Sequence, residues 1–449
     1  MPPDKKLLPD LAALIAGLKA SEVDAATTDK AKLHIFDALA CTCAGAATEE
    51  IVPTRDALIR AAFRRKPKTL LEHPGCASAV LVTSCRLTEC DDIHIGSCVT
   101  PSSVVVPVAL VAGALAKASR ETIFEGILAG YQVMLTLALA ADGAANIYRG
   151  IWPTYLTGGI AAAAISAKIM GLSETQIRDA MGIAASSATG ITGRVEEEPT
   201  PRWFVLATAI ESGLLAAAAA ASGIHGDEAI LGKISSVWNP ETLKLPEQAG
   251  PGAPLLVNRV GFKPYCTSRQ GLSATEAFIL AVRENKIDPA SIEKIAITVP
   301  QQYRAMIDRN KRPKTKSESR GIHYQLAIGA LHPDELCDIE RETIRAEDPA
   351  IIHLLDCIEI ANDDRLSKLY PVQWGGAAAV TAGGKTYQRE ILNPRGDPEN
   401  PMNWDDVSTK LTTMSKFLKR PIPVDALAKQ AKALDFAAAL ETLIGSVDT

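Results

Sequence analysis

The side chains best suited to chemistry crowd into one short stretch, Glu-Cys-Asp-Asp-Ile-His-Ile-Gly-Ser-Cys-Val-Thr-Pro-Ser-Ser at 89–103. Glu89, Asp91 and Asp92 supply carboxylates, His94 an imidazole, and Cys90 and Cys98 thiols. Three chemistries fit that inventory. Thiolates, imidazoles and carboxylates are metal ligands. A carboxylate beside a histidine is an acid/base pair, because imidazole changes charge near neutral pH. A polar loop before an apolar run also starts helices, its side chains capping backbone amides. The spacing argues against a metal: Cys76, Cys85, Cys90 and Cys98 form no Cys-x-x-Cys pair, and thiols so scattered behave as small buried hydrophobes. His94 and Asp92 therefore stand as acid/base candidates, with the capping of a buried loop as the alternative. Cys266, between Lys263 and Arg269, would be nucleophilic only if those cations lowered its pKa; otherwise it is an inert thiol.

These groups need a scaffold. The chain has 449 residues, 47% hydrophobic and 22% charged, with only 5% aromatic. That balance fits an ordinary globular protein of closely packed, alanine-rich helices better than a β-sandwich. A net charge of −5 without a basic stripe argues against a nucleic-acid partner. Nine scattered cysteines fit reduced thiols and a cytoplasmic location. The opening Met-Pro-Pro-Asp-Lys-Lys-Leu-Leu-Pro-Asp has no apolar signal-peptide core. The most apolar run, 204–224, is mostly alanine and contains Glu211, which predicts a packed internal helix rather than a membrane span.

Apolar spacing predicts helices within 8–45, over 76–88, 102–119, 120–142, 154–171, 173–188 and 204–223. Ser173 followed by Gln176 is a capping signal. The composition shifts at Glu-Gln-Ala-Gly-Pro-Gly-Ala-Pro (247–254), a linker. Beyond it, 293–300, 355–361 and 377–391 read as strands, the last a hairpin turning at Ala-Gly-Gly-Lys, with helices at 271–284 and 320–331. A helix returns at 424–445. The expected fold is mainly α: a large all-helical domain (1–258 and 402–449) with an inserted smaller α+β lid domain (259–401), and a ligand cleft between them. The run Arg194 to Pro199 reads as a solvated loop, with Arg194 a weaker carboxylate-anchor candidate.

Three segments in this order, 75–115, 152–190 and 261–278, resemble the MmgE/PrpD family of 2-methylcitrate dehydratase, cis-aconitate decarboxylase and iminodisuccinate epimerase. The resemblance covers most of the chain, and it is most specific in the middle segment, a Pro-Thr, a Gly turn, an alanine-rich helix and then Gly-Ile-Ala-Ala-Ser. It implies a helical domain with a smaller α+β lid, a homodimer, no metal or organic cofactor, and small carboxylate substrates. Such reactions remove a proton or CO2 next to a carboxylate. They need cations for the carboxylates, a base, an acid and a stabilised developing charge.

Carried over, the family's acidic loop falls on Glu89, Asp91 and Asp92. Its histidine before the next helix falls on Thr100. The His-Pro-Thr of the middle segment falls on Trp152, Pro153 and Thr154. The loop lysine falls near Arg202, the Lys-Pro-Tyr on Lys263, Pro264 and Tyr265, a further histidine on Leu272, and the lid tyrosine on Tyr324, preceded by His323. Three family histidines are thus Thr, Trp and Leu here, none of which shuttles protons. The resemblance makes Lys263 and Arg202 carboxylate anchors, with Arg269 a weaker one. Glu89, Thr100, Trp152 and Thr154 would line the substrate site, and His323, Tyr324, His94 and Asp92 would move protons. Trp152 would dry and reshape the pocket. Two readings follow: a cofactor-independent lyase or isomerase with a rewired acid/base set, or a catalytically silent member kept as a binding or scaffolding partner. A metal-dependent hydratase is a third and poorer reading.

Overall fold

The computed structural model describes residues 7–65, 67–192, 200–234, 237–238, 243–250, 252–341, 344–345 and 347–447. The segment 193–199, with Arg194 and its charge run, lies outside them. The chain is mainly α with a smaller α+β region and divides into two compact units: Met1–Val260 with Lys419–Thr449, and Gly261–Leu418. The helix Trp404–Ser415 belongs to the second unit, so the chain returns to the helical unit at Lys419 rather than at 402.

In the helical unit, Arg120–Ala140 and Arg202–Ala221 each pack on Pro153–Ile169, and Ala25–Ala46 packs on Pro74–Leu87. Small residues permit the close approach. A Cβ on Gly45 would lie 1.7 Å from the Ser84 carbonyl, and one on Gly213 would lie 2.3 Å from the Gly159 carbonyl. Three of the helix starts have a local cause. Asp24 accepts from the Thr27 amide at 2.8 Å. Ser173 and Gln176 form the expected capping box before Glu174–Ala185. Pro153 opens its helix after Trp152, where a missing N–H is harmless.

The helix Ser102–Ala116 has Pro101 at its cap position, and its Ser102 amide donates to Asp92 at 2.9 Å. Two differences from the sequence expectations have physical reasons. The C-terminal helix is two, Val424–Ala433 and Phe436–Val447, because Leu434 turns left-handed (φ 53°) and Asp435 caps the second from the Ala438 amide. The helix Arg202–Ala221 is not fully internal. It buries Trp203, Leu206, Ile210 and Ala217 while Phe204 and Leu215 stay exposed. It and Arg120–Ala140 are long and apolar enough to cross a bilayer, and 89% of the second one's apolar window is buried against 39% of the first's.

The second unit holds a four-stranded sheet, β1 (Ile292–Val299), β2 (Ile358–Asn362), β3 (Gly376–Ala382) and β4 (Lys385–Ile391), in the order β2-β1-β3-β4. β1 pairs parallel with β2 and antiparallel with β3; β3 and β4 form the expected hairpin. Gly383 and Gly384 turn it at positive φ, which side chains resist. β2 starts later than expected because Asp348 caps a helix, Pro349–Cys357, that claims the preceding residues. The helix Arg269–Glu284 covers β3 with Leu272, Phe278 and Ala281 among its buried face.

Candidate functional site

The acidic loop does not gather its carboxylates; it distributes them. Glu89 sits at φ 53°, a left-handed geometry that costs a non-glycine residue about 1–2 kcal/mol. From there its carboxylate pairs with the Arg202 guanidinium and lies 3.6 Å from that of Arg86. Asp91 lies 3.4 Å from Arg86. Burial works against the Arg86 charge, but Asp91 and Glu89 outweigh it and hold its pKa above the ordinary arginine value. Arg202 lies 3.8 Å from the Trp203 ring centroid and 5.4 Å from that of Trp152. Trp203 is pinned in turn by donating its indole N–H to Glu50 at 2.7 Å.

Asp92 goes elsewhere. One oxygen accepts from the Ser102 amide, the other from the Tyr131 hydroxyl at 3.1 Å, and His34 Nδ1 lies 3.1 Å from that second oxygen. All of this is buried. Burial lowers the His34 pKa although Asp92 pulls it up, and burial raises that of Tyr131. Asp92 is thus a helix cap and a tie between helices, with both of its oxygens engaged.

His94 is a cap as well. Its Nδ1 accepts from the Ser97 amide at 3.2 Å and lies 2.8 Å from the Ser97 hydroxyl. Burial, helped by Arg259, pushes its pKa down to about 4. Accepting at Nδ1 leaves the single proton of the neutral ring on Nε2. That geometry makes His94 a hydrogen-bond donor, and its acid/base role loses its basic nitrogen to the cap. Thr100, where the resemblance implies a histidine, bonds to Thr154 through its amide at 3.1 Å and its hydroxyl at 3.2 Å. Trp152 is half-buried, 6.1 Å edge-on from Tyr155. Burial raises the Tyr155 pKa against the pull of Arg202 and Arg86, so that hydroxyl stays protonated at neutral pH.

In the second unit Lys263 is buried between two backbone ties, Phe262 N–H to the Gly396 carbonyl at 2.8 Å and Cys266 N–H to the Leu336 carbonyl at 3.1 Å. Arg269 is 2% exposed, pairs with Asp397 at 2.6 Å, lies 3.4 Å from the Trp374 carbonyl and faces the Trp374 ring at 5.8 Å. It holds the 374 and 397 loops, a role that occupies the guanidinium expected to bind substrate. Tyr324 accepts from the Arg345 amide at 3.0 Å, and burial raises its pKa.

His323 is buried against a carboxylate. Its Nε2 is 2.9 Å from Asp308 Oδ1, whose other oxygen accepts from Arg304 at 2.9 Å. Its Nδ1 is buried without a hydrogen-bond partner among the described residues. An unsatisfied buried acceptor costs about 1–3 kcal/mol and calls for an explanation. Burial lowers the His323 pKa, which keeps the ring neutral near pH 7.

The structure thus brings Glu89, Arg202 and Trp152 together, joins Thr100 to Thr154, and leaves Asp92 and His94 in separate caps. Sequence reasoning missed Arg86, His34, Tyr131, Trp203, Asp397 and Asp308. Arg86 was detectable, because it stands three residues before Glu89 at the end of a helix. Trp203 adjoins Arg202 in sequence, whereas His34, Tyr131 and Asp397 are distant from the residues they meet and carry no local signal. Among the described residues no group of three or more His, Cys, Asp or Glu is placed to hold a metal ion.

Comparison with known proteins adds what geometry alone does not. Residues 9–237 match the MmgE/PrpD N-terminal domain and residues 265–429 the MmgE/PrpD C-terminal domain. The cis-aconitate decarboxylase-like protein oryM of Aspergillus oryzae is 27% identical over 239 residues, covering 50% of this chain and 48% of that protein. Cis-aconitate decarboxylase of Aspergillus terreus is 24% identical over 194 residues, covering 39% of this chain and 38% of that protein. The chain therefore spans about half the length, or less, of the curated relatives it matches.

Proposed function

Because this chain belongs to the MmgE/PrpD family, we propose that it is a lyase or isomerase that needs no metal or organic cofactor. It would act on a small carboxylate-bearing substrate with an acid/base set of its own. The observation that carries this reading is the match of both family domains across most of the chain, in order. The names of the matched relatives add a lyase, a decarboxylase of cis-aconitate.

Loss of CO2 or of a proton beside a carboxylate leaves an electron pair that spreads into an enolate. A neutral buried histidine is suited to take or return the proton, and His323 has such a nitrogen to offer. Tyr324, kept protonated by burial, is suited to donate. Lys263 remains the anchor candidate for a substrate carboxylate. Arg202 fits that role less well, because Glu89 already neutralises it. A cytoplasmic homodimer is part of the same reading.

One observation favours a second reading, a silent binding or scaffolding member. In the helical unit the charges answer one another: Arg202 with Glu89, and Arg86 with Asp91. Thr100 and Thr154 likewise satisfy each other. Titration of the purified protein with small di- and tricarboxylates separates the two. Turnover that disappears in Lys263→Ala and His323→Gln supports the enzyme. Turnover that survives both variants removes these residues, and no turnover on any acid leaves the silent member.

A further inference from the structure

Resting on the lyase or isomerase reading, we propose that Asp308 is the positioning residue of His323. It fixes the tautomer that carries its proton on Nε2 and presents Nδ1 as the atom that accepts the substrate's proton.

Asp308 follows the short helix Arg304–Ile307, and its amide donates to the Arg304 carbonyl at 2.9 Å. That turn aims the carboxylate at the first turn of the helix Ile322–Leu331, where His323 stands. The two oxygens are engaged separately. Oδ1 meets His323 Nε2 and Oδ2 takes the Arg304 N–H, so the carboxylate cannot rotate freely. Burial opposes the Asp308 charge, but His323 and Arg304 outweigh it and hold its pKa below the ordinary carboxylate value. It is therefore ionised at neutral pH, and an ionised carboxylate only accepts. The proton in the 2.9 Å contact must come from His323. A neutral ring has one N–H, so Nδ1 carries a lone pair, and it is this atom that has no partner among the described residues.

A base needs that arrangement. The substrate C–H bond breaks, its proton bonds to Nδ1, and the electron pair stays on the substrate as an enolate. The imidazolium then keeps Nε2–H on Asp308, whose negative charge stabilises it without taking a proton. Return of the Nδ1 proton to the product or to a leaving hydroxide restores the neutral ring. The charged groups around His323 are balanced for this cycle: Asp308 favours the imidazolium, while Lys311 and Arg304 disfavour it. Lys311 is itself held by donating to the Ile358 carbonyl at 2.9 Å.

The test uses the full chain with 15N-labelled histidine. Long-range proton–nitrogen spectra, with His323→Gln assigning the signal among seven histidines, read the tautomer directly. We expect Nε2–H in the wild type. In Asp308→Asn the amide can donate or accept, so the tautomers should mix and the His323 pKa should fall. On a turned-over acid, Asp308→Asn should lower kcat by about 10²-fold or more, with KM little changed. The acid limb of its pH–rate profile should move to lower pH, and Asp308→Glu should recover part of the rate. An Nδ1–H tautomer in the wild type overturns the proposal. So does an Asp308→Asn protein that loses thermal stability while the tautomer and pKa of His323 stay put. Absence of turnover on any acid would defeat the enzymatic reading and the role of Nδ1 with it, while the tautomer measurement still decides what Asp308 does.

Discussion

Arg202 and Glu89 form an ion pair under an aromatic cover, the guanidinium 3.8 Å from the Trp203 ring centroid. The two come from distant parts of the sequence, a helix start and the acidic loop. Their pairing converts both from candidate substrate contacts into each other's partners. Glu89→Gln removes the anion between Arg202 and Arg86, which are 7% and 4% exposed. Breaking a buried pair from one side costs about 3–5 kcal/mol, so urea unfolding should show a loss near the lower end of that range. The released Arg202 should then accept an external carboxylate. Citrate should raise the melting temperature of Glu89→Gln more than that of the wild type, as binding to the native state requires.

Asp92→Asn tests the second carboxylate. The amide keeps the shape but loses the charge that accepts from Ser102 and Tyr131 and faces His34. Charged hydrogen bonds contribute about 1.5–3 kcal/mol each, and denaturant titration should show a loss of at least that size. Because Asp92 raises the His34 pKa, the variant should lower it further, which a histidine NMR titration reads.

Acid should destabilise the helical unit through His94. Its folded pKa, about 4, is below the unfolded value near 6.5. The unfolded chain therefore takes up this proton first as pH falls, and stability drains away between about pH 6.5 and 4. The shift corresponds to roughly 3 kcal/mol. His94→Asn, which keeps a cap acceptor, should flatten stability across that window by a similar amount. His34 and His323 shift in the same direction and will leave a residual slope.

Arg269 and Asp397 should behave as a structural pair. Arg269→Ala should cost about 3–5 kcal/mol by stranding a buried carboxylate. Asp397→Leu combined with Arg269→Met should recover much of that loss. A double-mutant cycle measures the coupling, and a coupling near zero would mean that Arg269 has other work.

The fold was largely legible because its signals are local. Helical spacing marked Pro153–Ile169 and Arg120–Ala140 to within a residue or two, and Ser173 with Gln176 announced its cap. Two glycines announced the β3 and β4 turn. The break at Leu434 was hidden, since leucine disfavours the left-handed geometry it adopts there. The site was legible as residue types but not as pairings. Nothing near residue 92 says that its partners are His34 and Tyr131, and nothing near 323 points to Asp308. Such pairs are fixed by helix packing and loop closure, which act over tens of residues and leave no spacing pattern behind.

The most direct measurement follows purified protein by proton NMR in D2O with a panel of small di- and tricarboxylates, cis-aconitate among them. CO2 loss, water loss or exchange of a hydrogen beside a carboxylate would each register. We expect at least one acid to react or exchange with the wild type, and that signal to fall by about 10²-fold or more in His323→Gln. No reaction, no exchange and no binding across the panel would contradict the enzymatic reading, and reaction undiminished in His323→Gln would contradict the role given to that histidine.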